Sequence, residues 1–248
     1  MKTVPWIVIG LILSQLPQSA GGERDIKETL IVDGQTRSYR IFVPEGAGRA
    51  EPAPAVVLFN GSGSPVDSLM NFWKVIARTD GVILIGPTAF ALGAWRIPED
   101  SPDFTRDVVE HARAKYPIDA QRVYLFGHSG GGHHVLQVAL LESEYFAAVA
   151  AHAGALVPGF YPAIEKARRP IPVAIWIGTS DHIVPLLAVR DTADAFRAAH
   201  FTFHLTEIKG HTHSYAEKGE EVTRQAWDFL KSQRLKGAPI YQPYRFSR

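Results

Sequence analysis

The chain contains no cysteine. That absence excludes disulfides, thiolate metal sites and a cysteine nucleophile, so covalent chemistry must fall to oxygen or nitrogen. Neither sign of charge is in excess, with 26 Lys and Arg against 25 Asp and Glu. The electrostatic footprint of a nucleic-acid or anionic-membrane partner is therefore missing. No internal repeat or low-complexity segment interrupts the sequence, and no apolar run reaches the roughly 20 residues that a membrane-spanning helix needs. What is there is an ordinary globular balance, 46% apolar and 21% charged over 248 residues, enough for one large domain with a full core.

Met1-Lys2 followed by the run Val4 to Leu13 has the positive start and short apolar stretch of a secretory leader. Small residues at Ser19, Ala20, Gly21 and Gly22 suit cleavage near Ala20 or Gly21. The competing readings are a membrane anchor and a buried first strand. Residues 1–21 are thus expected to be a signal peptide, 22–235 a single domain and 236–248 an irregular tail. The mature protein is expected to be secreted or periplasmic, with no stable membrane insertion.

Two alternating stretches, Thr29 to Asp33 and Ser38 to Val43, flank Asp33-Gly34 and predict an antiparallel hairpin. Ala55 to Phe59 is a short, wholly apolar run, as in a strand buried on both faces of a parallel sheet. Strand and helix patterns then alternate: Val82 to Ile85, Val123 to Phe126, Ala147 to Ala151, Val173 to Ile177 and Phe201 to Ile208 as strands. Helices are predicted from Pro65 to Arg78, from Pro102 to about Tyr116, from His133 to Leu141, from Leu186 to Ala199 and from Glu220 to Lys231. Pro65 is expected at the first helical position. The fold class is α/β, a mostly parallel central sheet with helices on both faces.

Gly127-His128-Ser129-Gly130-Gly131 lies between a predicted strand and a predicted helix. This is the context of a nucleophile elbow, in which a tight turn with small flanking residues lifts a serine hydroxyl to the sheet edge. A serine hydroxyl needs a base, and the base an orienting acid. Asp181, on the loop leaving the strand Val173 to Ile177, is the candidate acid; helix capping is its commoner use. The base is expected in Gly210-His211-Thr212-His213-Ser214-Tyr215. His211 and His213 compete there, and only one is expected to reach Ser129.

A metal site combining these histidines with His128, His133 or His134 is a rival reading, weakened because no carboxylate spacing accompanies them. His111, His152, His182, His200 and His204 read as surface or core residues. No cofactor or metal is expected. Acyl transfer also needs donors for an oxyanion. Gly130 N–H follows the candidate nucleophile, and Ser62 N–H lies in Asn60-Gly61-Ser62-Gly63 after the early buried strand. His128, Trp95, Leu156, Ile183 and Tyr215 are candidate pocket residues, and Leu156 to Arg169 a candidate cap.

The stretch Tyr116 to Gly131 and the segment Gly178-Thr179-Ser180-Asp181-His182-Ile183-Val184-Pro185 resemble secreted α/β-hydrolase esterases of the polyhydroxybutyrate depolymerase, feruloyl esterase, acetylxylan esterase and S-formylglutathione hydrolase group. The resemblance runs through nearly the whole mature chain in order. It implies the α/β-hydrolase fold and a serine hydrolase that cleaves carboxylic esters through an acyl-enzyme, with an ester substrate as partner. It also implies Asp181 as acid and favours His213 over His211, because some relatives carry Asp-His-x-Tyr where this chain has Thr212-His213-Ser214-Tyr215. Asn60-Gly61 departs from the His-Gly of many relatives at the oxyanion loop. A serine peptidase of the same fold, and a non-catalytic binding protein on a hydrolase scaffold, are the alternatives.

Overall fold

The computed structural model describes residues 22–91 and 93–244; the expected signal peptide, residues 1–21, lies outside the described residues. The hairpin forms as β1 (Arg24–Val32) and β2 (Gln35–Val43), paired antiparallel around Asp33-Gly34. Both turn residues have positive φ, 50° and 74°, the geometry whose twist matches that of the flanking strands.

Six parallel strands follow: β3 (Ala53–Phe59), β4 (Ile83–Pro87), β5 (Ile118–His128), β6 (Ala148–His152), β7 (Val173–Gly178) and β8 (Phe203–Ile208). They complete an eight-stranded sheet in the order β1-β2-β4-β3-β5-β6-β7-β8, with β2 antiparallel to β4. This is the α/β-hydrolase architecture that the sequence predicts.

Among the described residues the six α-helices are α1 (Val66–Asp80), α2 (Pro102–Arg113), α3 (Gly130–Leu141), the single turn α4 (Pro162–Lys166), α5 (Leu186–Ala198) and α6 (Tyr215–Lys231). Side chains along a strand alternate between its two faces, and β3 shows the result. Ala55, Val57 and Phe59 join Phe104, Val135 and Phe196 of α2, α3 and α5 in one core, whereas Val56 and Leu58 join Met70, Trp73 and Val222 of α1 and α6 in the other. Burial on both faces is why these strands read as unbroken apolar runs.

Several boundaries differ from expectation. Pro65 is the residue before α1 rather than its first helical residue. α3 begins at Gly130 instead of His133 because the turn at Ser129 feeds directly into it. α6 begins at Tyr215 instead of Glu220, its first turn anchored by the buried Tyr215 ring. The segment Leu156 to Arg169 contributes a 3-10 turn (Pro158–Phe160) and α4, with Ile164 in the core and Tyr161 OH meeting Thr192 Oγ1 of α5 at 3.2 Å.

The C-terminal residues through Tyr244 lie against the body as a strap. Leu235 N–H donates to Gln121 O, Ile240 N–H to Glu144 O and Gln242 N–H to Glu142 Oε2. Among the described residues no helix is long and apolar enough to cross a membrane.

Candidate active site

The parallel register of β5, β6, β7 and β8 brings their carboxyl ends to one edge of the sheet, the usual place for ligands in such folds. Ser129 sits there at the end of β5 with φ 54° and ψ −119°, a backbone region that costs on the order of 1–3 kcal/mol and persists only when its surroundings enforce it. The enforcement is visible. Ser129 N–H donates to His152 O of the neighbouring strand and Ser129 O accepts from His133 N–H, both at 2.9 Å. A Cβ on Gly127 would collide with the Gly131 carbonyl, and one on Gly131 with the carbonyls of Phe59 and Asn60. The small flanking residues of the motif are therefore dictated by backbone packed against backbone.

Ser129 Oγ is 2.8 Å from His213 Nε2, and His213 Nδ1 is 2.8 Å from Asp181 Oδ2. Asp181 Oδ1 accepts from Ile183 and Val184 N–H groups at 2.9 Å each. The loop-ordering use of this aspartate and its contact with histidine are thus divided between its two oxygens. Burial alone would raise the Asp181 pKa, but those two N–H groups and His213 outweigh it and hold the carboxyl below its ordinary range. Asp181 is therefore ionised at neutral pH, and a carboxylate facing His213 Nδ1 favours the tautomer with the proton on that nitrogen, which leaves the bare Nε2 beside Ser129 Oγ.

His211 goes elsewhere. Its backbone is clipped to the loop after β7 by a 3.0 Å bond from Ser180 N–H to His211 O, and its ring turns into the interior, Nε2 lying 3.0 Å from His152 Nε2.

The loop Asn60 to Ser64 lies alongside the elbow. A Cβ on Gly61 would press on the His128 ring at 3.0 Å and one on Gly130 would meet Ser62 Oγ, so neither place takes a side chain without movement of its neighbour. Asn60 holds this loop, its Nδ2 donating to Gly61 O at 3.0 Å and to Ser64 O at 2.5 Å. Trp95 Nε1–H donates to Asn60 O at 2.9 Å. The N-terminus of α3, the end at which a helix carries partial positive charge, starts at Gly130, the residue after Ser129.

The candidate pocket residues separate into four groups. Ile183 is 69% exposed, on the rim. Trp95 is half-buried, stacked on His134 and edge-on to Phe59, so it supports the Asn60 loop from behind. Tyr215 and Leu156 belong to the core. The Tyr215 ring packs on Phe72, Phe126, His128 and His152, and its hydroxyl is satisfied by Thr223 Oγ1 at 2.7 Å. An aromatic ring that opens a helix reads the same in sequence whether it faces a ligand or the interior. His128 is tucked against His213, ring centroids 5.1 Å apart, rather than facing outward.

Among the described residues no group of three or more His, Cys, Asp or Glu could hold a metal ion. His133 instead accepts from Ala155 N–H, and His134 is buried against Phe59 and Trp95. A cavity of about 290 Å³ lies at the opposite end of the sheet, bordered by Gly48, Asp80, Arg122 and Lys231. Arg122 precedes Ser129 by most of the length of β5, so that cavity is separate from the site.

Two residues that the sequence did not single out matter here, His152 and Glu217. His152 ends a buried strand with a polar side chain, a signal that the register of β5 against β6 makes meaningful, because His128 and His152 are paired across it.

Comparison with known proteins gives concordant findings. A family model described as the dienelactone hydrolase family matches residues 89–234. The chain is 30% identical over 168 residues to NocK of Nocardia uniformis subsp. tsuyamanensis, whose name marks it provisionally as an esterase; the match covers 63% of this chain and 48% of that protein. It is 24% identical over 155 residues to the bifunctional acetylxylan esterase/xylanase XynS20E of Neocallimastix patriciarum, covering 61% of this chain and 22% of that one. The chain therefore spans about half the length of the first relative and about a fifth of the second. An S-formylglutathione hydrolase from Agrobacterium tumefaciens superposes with a TM-score of 0.68 at 18% identity, covering 86% of this chain and 96% of that one, a likeness of fold.

Proposed function

The chain belongs to the dienelactone hydrolase family, and on that premise we propose that it is a serine esterase working through an acyl-enzyme, with Ser129 as nucleophile, His213 as base and Asp181 as the acid that orients it. The observation that carries this reading is the unbroken hydrogen-bond line from Asp181 Oδ2 through His213 to Ser129 Oγ, with both links 2.8 Å.

In the first half-reaction Ser129 Oγ attacks the ester carbonyl carbon while its proton passes to His213 Nε2. The carbonyl oxygen, now anionic, is held by the N–H groups of Gly130 and Ser62. Collapse breaks the bond to the alcohol, which leaves with the proton from His213, and the acyl group remains on Ser129. Water then attacks the acyl carbon as its proton passes to His213. The second intermediate expels Ser129 Oγ, which recovers the proton, and the acid departs.

With a formal net charge of +1, bulk charge does not select the substrate. The apolar run from Val4 to Leu13, read as part of a signal peptide over residues 1–21, supports action outside the cytoplasm, which fractionation of the native host checks. The central test is Ser129→Ala. Turnover of chromogenic esters of graded acyl length, and labelling by a fluorophosphonate probe, should both disappear with the fold intact. Retained turnover would remove Ser129 from the reaction, and a parallel panel of aryl amides separates esterase from peptidase.

A further inference from the structure

Three histidines outside the proposed catalytic set form a buried line. His128 Nδ1 lies 3.0 Å from His152 Nδ1, and His152 Nε2 lies 3.0 Å from His211 Nε2. At the far end His211 Nδ1 is buried, without a hydrogen bond, and 3.4 Å from Glu217 Oε2, while Thr212 Oγ1 holds the other oxygen of Glu217 at 2.9 Å. Tyr215 walls the line, its ring 5.4 Å from that of His128 and 5.2 Å from that of His152.

Each ring belongs to a different segment of the site. His128 immediately precedes Ser129. His152 ends β6 and also accepts the Ser129 N–H through its carbonyl. His211 precedes His213 by two residues. We propose that His152, linked to His128 on one side and to His211 on the other, is a positioning residue that holds Ser129 and His213 in register, with Glu217 fixing the direction of the hydrogen bonds. This rests on the catalytic reading of Ser129 and His213 given above.

The direction follows from proton counting. A neutral imidazole has one N–H and one bare nitrogen. A carboxylate facing His211 Nδ1 favours the proton there, because a bare nitrogen would oppose two sets of lone pairs. His211 Nε2 must then accept from His152 Nε2–H, and His152 Nδ1 from His128 Nδ1–H. His128 is left with a bare Nε2, on the side of the Gly61 loop. Neutrality is supported by the surroundings. Burial, reinforced by the neighbouring imidazoles, lowers His128 to about 4 and His152 well below the ordinary value. An uncharged His128 against the face of His213 also spares the imidazolium that forms there during turnover a second positive charge.

Imidazole NMR on the wild-type protein tests the line directly. The expected set is Nδ1–H for His128 and His211 and Nε2–H for His152, and any other tautomer set overturns the stated direction. Kinetics test the positioning role. His152→Leu keeps bulk but removes both links, and should lower kcat by roughly 10- to 100-fold with KM within about threefold, since sub-ångström to ångström misplacement of reacting groups costs that much. His152→Gln, which can donate and accept, should recover most of the loss. A folded His152→Leu enzyme with wild-type kcat overturns the proposal.

If the leucine variant does not fold, the exposed Glu217→Ala carries the test. It should weaken the His211 Nδ1–H signal and reduce kcat several-fold, and no change in either overturns the role of Glu217. Turnover by Ser129→Ala would instead strike the catalytic reading itself. Fluorophosphonate labelling of Ser129 alongside an unaltered His152→Leu kcat would strike only this proposal.

Discussion

Asp181 and His213 meet through a 2.8 Å hydrogen bond in which the carboxylate side chain is fully buried while the imidazole remains 18% exposed. The carboxylate is shielded from water, and the other nitrogen of the ring, Nε2, lies beside Ser129 Oγ. Asp181→Asn should preserve the loop, because the amide oxygen can still accept from Ile183 and Val184, yet it then presents an N–H to His213 Nδ1 in place of the acceptor that fixes the tautomer. The expected loss in kcat is about 10³- to 10⁴-fold, read by ester turnover in a variant whose melting temperature at pH 7 shows it to be folded.

The same carboxylate gives a pH signature. Its folded pKa is depressed below the ordinary 3.8, so the stability that it contributes is complete above that value and is lost as pH falls through the folded pKa. Thermal melting from pH 6 to pH 2 should show a steeper acid limb for the wild type than for Asp181→Asn.

His213→Ala and His211→Ala separate two residues that compete on paper. The first should reduce kcat by about 10³-fold or more. The second removes a ring that touches His152 and not Ser129, and should leave far more turnover. Equal losses from the two variants would contradict this division of roles.

Trp95→Phe keeps a ring against His134 and Phe59 but deletes the donor to Asn60 O. A hydrogen bond of this kind contributes about 1 kcal/mol. The expected outcome is a modest fall in melting temperature with kcat reduced several-fold, as the loop that carries Ser62 loosens. A fall in stability with kcat intact would detach Trp95 from that loop's function.

Glu142 reports on the C-terminal strap. Its side chain is buried beneath residues 240–244, one oxygen accepting from Gln242 N–H and the other unpaired. Burial pushes its carboxyl from the ordinary 4.5 up to about 7. The folded state therefore binds the extra proton, and stability declines as pH rises from about 4.5 to 7, then levels. By linkage the decline amounts to about 3 kcal/mol at most. Glu142→Gln should melt higher than the wild type at pH 8, and the difference should vanish near pH 4.

The alternation of strand and helix, the elbow and the order serine, acid, histidine were all legible in the sequence, because each is set by local chemistry: buried runs, a glycine-flanked turn, a loop after a strand. The choice between His211 and His213 was not. It depends on Gly210, whose φ of 71° turns the chain after β8, and on the clip from Ser180 to His211, neither of which local pattern reveals. Tyr215 was expected in the pocket and lies in the core for a related reason. Its position four residues after His211 says nothing about which way α6 will roll against β5. His152 was legible only as a surface or core residue, because its meaning comes from two strands that are neighbours in space.

Gly127, Gly131 and Gly178 are each pressed against another segment's carbonyl, whereas Phe90, Val157, Ile183 and Leu187 project into solvent from the polypeptide around the catalytic edge or close to it. A mutational library built on this enzyme should treat these as two separate alphabets. The glycines are frozen letters, whose replacement breaks the backbone packing around them, and the exposed apolar positions are free letters that can be rewritten without disturbing it.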